Sequence, residues 1–190
     1  MSDFVILTDS SADLSEDMVR KLDVQVLPLG FLLDGRAYRN FPDNREMDPH
    51  LFYERLRGGE LATTNAVNVA QYTEALEPLL QAGRDVLVLA FSSGLSTTYN
   101  SSRLAVEELS ARYPDRKLYT VDTLCASLGQ GLLVWYAARE RARGRSIEEV
   151  RDWVEDHKLN LCHQFTVDDL HFLKRGVRIS AATSVVGSML

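Results

Sequence analysis

Hydroxyl side chains are concentrated in four short segments: Thr8-Asp9-Ser10-Ser11, Thr63-Thr64-Asn65, Ser92-Ser93-Gly94-Leu95-Ser96, and Asp122-Thr123 with Ser127. Hydroxyls and free backbone N–H groups at helix N-termini form a site for an anion, and a glycine at 94 lets backbone come close to one. None of the four contains Arg or Lys, which phosphate sites commonly recruit, so a monoanion such as a carboxylate fits better. The same residue types serve as helix caps and Ser/Thr turns, so each segment has a structural reading beside the binding one. Neither G-x-G-x-x-G nor G-x-x-x-x-G-K-[ST] occurs, which removes the dinucleotide and nucleoside-triphosphate fingerprints.

The serine pair admits a second chemistry. Ala90-Phe91-Ser92-Ser93-Gly94 matches the nucleophile elbow G-x-S-x-G except at its first position. Asp122 lies downstream, and His157, His163 or His171 complete the chain order Ser, Asp, His of an acyl hydrolase. The missing first glycine, the duplicated serine and the ordinary settings of the histidines weigh against hydrolysis at Ser92 or Ser93. An anion-binding regulatory module is a third reading. Cys125 and Cys162 lack metal-type spacing and are expected to be buried thiols.

Alternating strands and helices must position these segments. Residues 4–7 read as a strand that stops at the first hydroxyl loop, and Asp13 with Glu16 resembles a capping box opening a helix to Lys21. Residues 24–29 read as the second strand. Residues 31–33 and 36–39 flank Asp34-Gly35, a dipeptide suited to a tight antiparallel turn. Asp48-Pro49 opens a helix that ends at Gly58-Gly59, and Asn68 caps another running to Gln81, so Thr63-Thr64-Asn65 precedes a helix without following a recognisable strand. Residues 86–91 form a continuous apolar run, the mark of a parallel strand covered on both faces, and a helix follows to Arg112. A strand over 118–121, a helix over 128–143 and a helix opened by the capping box Ser146/Glu149 complete the pattern. The expected fold is α/β, a doubly wound and mostly parallel sheet with helices on both faces. In such a sheet ligands sit beyond the carboxyl ends of the strands, where three of the hydroxyl loops fall.

After Leu161 the texture changes. Residues 162–167 suggest one more strand, Asp168-Asp169 a short helix stopped by Gly176, and Ser180 a helix still running at Leu190. We expect an N-terminal α/β domain over 1–160 and the beginning of a second, truncated domain over 161–190. An apolar face left uncovered by that second domain would favour homo-oligomers.

The composition narrows the partners. With 21 basic against 27 acidic residues the net charge is −6, the wrong sign for a surface that attracts nucleic acid. No apolar run comes near the roughly 20 residues needed to span a membrane, so stable insertion is not expected. The opening MSDFVILTDSS has neither the basic nor the apolar region of a signal peptide, which points to the cytoplasm.

Four segments in this order resemble the DegV family of bacterial fatty-acid-binding proteins. Thr8-Asp9-Ser10-Ser11-Ala12-Asp13-Leu14 is similar to the family's TDS-x-AD-L signature, and Ser92-Ser93-Gly94-Leu95-Ser96-Thr97-Thr98-Tyr99-Asn100 to its SSGLSGTYQ loop. Val121-Asp122-Thr123 with Ala126-Ser127 and Gly129 resembles VDS-x-x-AS-x-G, and the stretch from Asp169 to Ser180 resembles DL-x-YLKRGGRIS. The resemblance implies two α/β domains with a long-chain fatty acid between them, its carboxylate fixed by a Thr and a Ser and its tail in an apolar tunnel. That serine maps onto Ser93, followed by the N–H of Gly94. The threonine belongs to a TSQPS motif that falls at Thr64, where Asn65, Ala66, Val67 and Asn68 replace the usual residues and Thr63 stands as a possible substitute. Arg175 and Arg178 match a basic block near the head group. Ser10 and Ser92 complete the candidate ligand-binding set. The family's histidine near the carboxylate lies in the later part of its second domain, and none of the four histidines here takes that role. The resemblance implies a carrier that presents the acid to a fatty-acid kinase; it assigns no catalytic residue, metal or cofactor.

Overall fold

The computed structural model describes residues 4–164. The chain opens with β1 (Phe4–Asp9), a 3-10 turn (Ser10–Ala12), α1 (Glu16–Leu22) and β2 (Val24–Leu27). An antiparallel excursion follows: β3 (Leu29–Leu33), β4 (Arg36–Asn40), α2 (Pro49–Arg57) and β5 (Ala62–Asn65). The α/β alternation then resumes with α3 (Val69–Gln81), β6 (Asp85–Ala90), α4 (Thr98–Arg112), β7 (Leu118–Asp122), α5 (Leu128–Ala142) and α6 (Ile147–His157).

β2, β1, β6 and β7 form a parallel sheet in that order. Alternate side chains of each strand enter different cores, as the period of two requires. Phe4, Ile6, Leu87 and Leu89 pack with Leu133, Val134 and Ala137 of α5 and with Val150 and Val154 of α6. Val5, Leu7, Val86 and Val88 pack on the other face with Tyr72, Leu76 and Leu80 of α3 and with Ala105 and Leu109 of α4. Both faces of the sheet are therefore covered, which is why residues 86–91 read as one apolar run.

Local chemistry accounts for several boundaries. Asp34 (φ 50°) and Gly35 (φ 77°) take the left-handed conformations of a two-residue hairpin turn between β3 and β4. Asp48 caps α2 ahead of Pro49, and Asn68 and Ser146 form reciprocal capping boxes with Gln71 and Glu149.

Five expectations need correction. The cap of α1 is Ser15, whose hydroxyl accepts from Met18 N; Asp13 instead ends the 3-10 turn at φ 51°. The second strand stops at Leu27, because Pro28 has no N–H to give the ladder, and Leu29 starts a strand of a different sheet. Thr63-Thr64-Asn65 is not a loop but most of β5, an edge strand paired antiparallel with β3 in the order β4-β3-β5. Cys125 is buried as expected, whereas Cys162 is exposed. Residues 162–164 are not strand, and the elements expected from 165 onward lie outside the described residues.

Candidate functional site

In the parallel sheet, β1 leads sideways to β2 and β6 leads the other way to β7, so chain connections diverge between the carboxyl ends of β1 and β6. That divergence makes a crevice, the place where open α/β sheets bind ligands. Asp9 closes its floor. Its Oδ1 accepts from Ser11 N at 3.0 Å, and its Oδ2 accepts from Phe91 N at 2.9 Å and from Gln130 Nε2 at 3.2 Å. Thr8 Oγ1 donates to Leu89 O and accepts from Gln130 Nε2, so α5 is tied to the same floor. Burial pushes the Asp9 carboxyl up, and hydrogen bonds from Phe91, Ser11 and Gln130 pull it part of the way back.

Tyr72, also fully buried, brings its hydroxyl into the field of Asp9, and burial pushes that phenol well up. The hydroxyl has no hydrogen-bond partner among the described residues. Since an unpaired buried donor is unfavourable by about 1–3 kcal/mol, Tyr72→Phe should raise stability by about 1 kcal/mol while keeping the ring in the core. Urea unfolding of the two proteins measures this. A loss of stability in the variant would show that the hydroxyl has a partner in solution.

Beside the crevice lies a cavity of about 420 Å³ between the antiparallel sheet, α2 and the loop after β1. Leu29, Phe31, Phe41, Met47, Phe52 and Tyr53 supply its apolar wall, and Ser10, Ser11 and Thr64 supply hydroxyls. The β3–β5 register explains which threonine is involved. Thr64 stands opposite Phe31, and both line the cavity; Thr63 stands opposite Leu32, and neither does. The aromatic wall is consolidated by Phe31 stacked on Tyr38 and edge-on to Phe52, with ring centroids 5.4 Å apart in each pair. Arg39 also lines the cavity, but Glu46 accepts from its Nε at 2.9 Å and from its backbone N at 2.7 Å, which spends its charge locally.

The other predicted residues fall as follows. Ser10 is buried, and its Oγ accepts from Leu29 N at 2.9 Å, leaving its own O–H as a donor. Ser92 is buried and accepts from Gly94 N at 3.2 Å, so the Gly94 N–H expected to meet a ligand is engaged within its loop. Ser93 and Gly94 are exposed and do not line the cavity. Ser93 N donates to Asp122 Oδ1 at 3.1 Å. Thr123 is buried and donates to Ala90 O, and Ser127, at φ 53°, donates to Asp13 Oδ2 at 2.5 Å across the crevice. His157 Nδ1 lies 2.7 Å from Trp153 O, with its ring stacked on Trp153, and His163 Nδ1 lies 3.2 Å from Leu161 O; neither hydrogen-bonds Ser92, Ser93 or Asp122. Burial pushes the Cys125 thiol up to about 11, a poor setting for a thiolate nucleophile. Arg175, Arg178 and His171 lie outside the described residues. Sequence reasoning missed Asp9, Gln130, Arg39 and the α2 aromatics; the last were signalled by the hairpin, whose alternating Leu29, Phe31 and Leu33 required a cover.

No group of three or more His, Cys, Asp or Glu among the described residues could hold a metal ion, and no helix among them is long and apolar enough to cross a membrane.

Comparison with known proteins places these features. The family model described as DegV family matches residues 3–190. A DegV domain-containing protein of Clostridium perfringens is 49% identical over 190 residues, covering 100% of this chain and 65% of the relative. One from Streptococcus pyogenes is 35% identical over 186 residues, covering 98% of this chain and 65% of the relative. Among solved structures, that reporting fatty acid binding of a DegV family protein from Thermus thermophilus aligns with a TM-score of 0.83 at 32% identity, covering 99% of this chain and 65% of that one. DegV from Bacillus subtilis, described as a fatty acid binding protein, aligns with a TM-score of 0.80 at 28% identity, covering 100% of this chain and 66% of that one. The chain thus spans about 65% of the length of the curated relatives it matches. With the family model running from before β1 through residue 190, and the doubly wound sheet shared with these structures, the chain belongs to the DegV family.

Proposed function

We propose that this protein is a non-enzymatic carrier that holds a long-chain fatty acid, its carboxylate on the hydroxyl loops and its tail against apolar wall. The observation that carries this reading is the 420 Å³ cavity in which Thr64 and Ser10 share a lining with Leu29, Phe31, Met47 and Phe52. Its size falls in the range of about 300–1,000 Å³ typical of small-molecule sites. Fatty acid binding by the Thermus thermophilus and Bacillus subtilis relatives supports the same ligand class. On this reading Thr64 and Ser10 donate to the carboxylate from the cavity lining, Ser93 joins them from the exposed loop after β6, which does not line the cavity, and Arg175 and Arg178 belong to the surrounding basic block. Neutral donors suffice energetically. About fifteen methylenes at about 0.8 kcal/mol each give roughly 12 kcal/mol gross, whereas each hydroxyl contributes only about 1 kcal/mol net. The tail sets affinity and the hydroxyls set orientation. A carrier of this kind acts in the cytoplasm, presenting the exposed acid group to a fatty-acid kinase.

Mass spectrometry of an organic extract of the purified protein tests the reading. A copurifying long-chain acid is the expected result. Covalent labelling of Ser92 or Ser93 by a fluorophosphonate, without bound lipid, would favour a serine hydrolase instead.

The register of β5 makes a sharper expectation. Thr64→Ala should weaken palmitate binding by about 1–3 kcal/mol, roughly 5- to 150-fold in Kd, while Thr63→Ala leaves it within about twofold. Ser93→Ala should act like Thr64→Ala, and the alcohol of the same chain length should respond to neither. Titrations with both ligands decide; a Thr63 effect as large as that of Thr64 would place the carboxylate on the other face of the antiparallel sheet.

A further inference from the structure

Two of the hydroxyls assigned above to the carboxylate come from different sheets, Thr64 from β5 of the antiparallel sheet and Ser93 from the loop after β6 of the parallel one. One set of the hydrogen bonds that hold the loops at this spot runs through a single residue, Asp9. From Asp9 one branch passes to the loop after β6, because Oδ2 accepts from Phe91 N immediately before Ser92 and Ser93. The other branch passes to the loop after β1, where Oδ1 accepts from Ser11 N. Neighbouring Ser10 then accepts from Leu29 N, the first residue of β3. β3 in turn pairs with β5, setting Phe31 opposite Thr64. Gln130 holds the Asp9 carboxylate from α5 and donates to Thr8 beside it.

We propose that Asp9, by joining the loops after β1 and β6, is the positioning residue that sets the separation of Thr64 and Ser93 and so the recognition of the carboxylate. Asp9 itself is buried and does not line the cavity, so it acts through these loops and not by contact with the ligand. The proposal rests on the fatty-acid reading.

Asp9→Asn keeps the side chain's shape but turns one acceptor into a donor, which cannot take both Ser11 N and Phe91 N. In titrations of the full 190-residue chain, D9N should bind palmitate roughly tenfold more weakly and bind the alcohol of the same length as wild type does. A double-mutant cycle adds a readout that a merely structural role would not move: in the D9N background the Thr64→Ala effect should shrink, because the threonine no longer stands where the carboxylate needs it. Should D9N fail to fold, Gln130→Leu loosens the same carboxylate without altering any loop residue. It should weaken palmitate a few-fold and leave the alcohol unmoved. Equal losses of acid and alcohol, additive effects of D9N and T64A, or stronger palmitate binding on removal of the Asp9 charge would each overturn the proposal. If wild type binds the alcohol and the acid alike, the fatty-acid reading itself falls; if wild type prefers the acid and D9N keeps that preference undiminished, only the role of Asp9 falls.

Discussion

Asp9→Ala should lower the unfolding free energy by about 3 kcal/mol, the largest loss expected from any single polar substitution in the crevice. The variant strips an acceptor from Ser11 N, Phe91 N and Gln130 Nε2. Each buried donor left without an acceptor is unfavourable by about 1–3 kcal/mol, and removing a desolvated carboxylate returns part of the total. Urea denaturation measures the change. A loss under about 1 kcal/mol would mean that water satisfies these donors and that the carboxylate is no tie between strands.

Asp9 also leaves a pH signature whose sign is opposite to that of most carboxylates. Burial is the strongest influence on its carboxyl and pushes it above the ordinary 3.8. A carboxyl whose folded value lies above its unfolded one holds its proton more tightly in the native state. Across the interval between the two values the native state therefore binds more protons, and stability falls as pH rises. The contribution is whole below about pH 4 and is lost as pH passes the folded value. Glu46, Glu60 and Glu149, which accept from Arg39, Arg55 and Ser146, sit below the usual carboxylate range and act in the opposite direction. They are common to wild type and Asp9→Asn, so the difference between the two proteins isolates Asp9. That difference should shift against wild type from pH 4 upward and then level. A difference that is flat, or that moves in favour of wild type, would contradict the burial argument.

The parts of this molecule legible in its sequence are those decided by neighbouring residues. Asp34-Gly35, Asp48-Pro49, Asn68 and Ser146 with Glu149 act within one turn, and each stands where local chemistry requires. The alternation of residues 86–91 with helices on either side was legible for the same reason: burial on both faces removes polar side chains from a strand. β5 was not legible, because four residues at a sheet edge, mostly exposed and polar, carry no apolar period; their strand character comes from β3 some thirty residues away. Asp13 and Ser15 are both good caps two residues apart, and only the chain path decides between them. Within the site, Thr64 and Ser10 could be named from residue type and motif. The role of Asp9 could not, because two of its three partners lie 82 and 121 residues along the chain.

Two glycines of α5 make the same distinction experimentally. Neither Gly129 nor Gly131 has a positive φ, so alanine suits the backbone at both, and helix propensity alone favours it by up to about 1 kcal/mol. Their surroundings differ. A Cβ on Gly131 would stand 2.5 Å from the carbonyl oxygen of Ala12, where α5 packs on the 3-10 turn that follows Asp9, and 3.1 Å from Leu14 Cδ2. Backbone on both sides must shift to admit it. Overpacking of this kind costs typically about 1–3 kcal/mol, and a contact against main chain belongs at the upper end, so the clash outweighs the propensity gain. Gly131→Ala should destabilise by about 2 kcal/mol and disturb the turn that carries Ser10. A Cβ on Gly129 also overlaps a neighbour, but that neighbour is the imidazole of exposed His163, which can rotate into solvent. There the propensity term prevails, and Gly129→Ala should be neutral or stabilising. Thermal melts of the two variants beside wild type test the pair. If both lose stability equally, His163 is held as firmly over α5 as the main chain of Ala12; if neither does, α5 can slide away from the turn and does not fix the loop after β1.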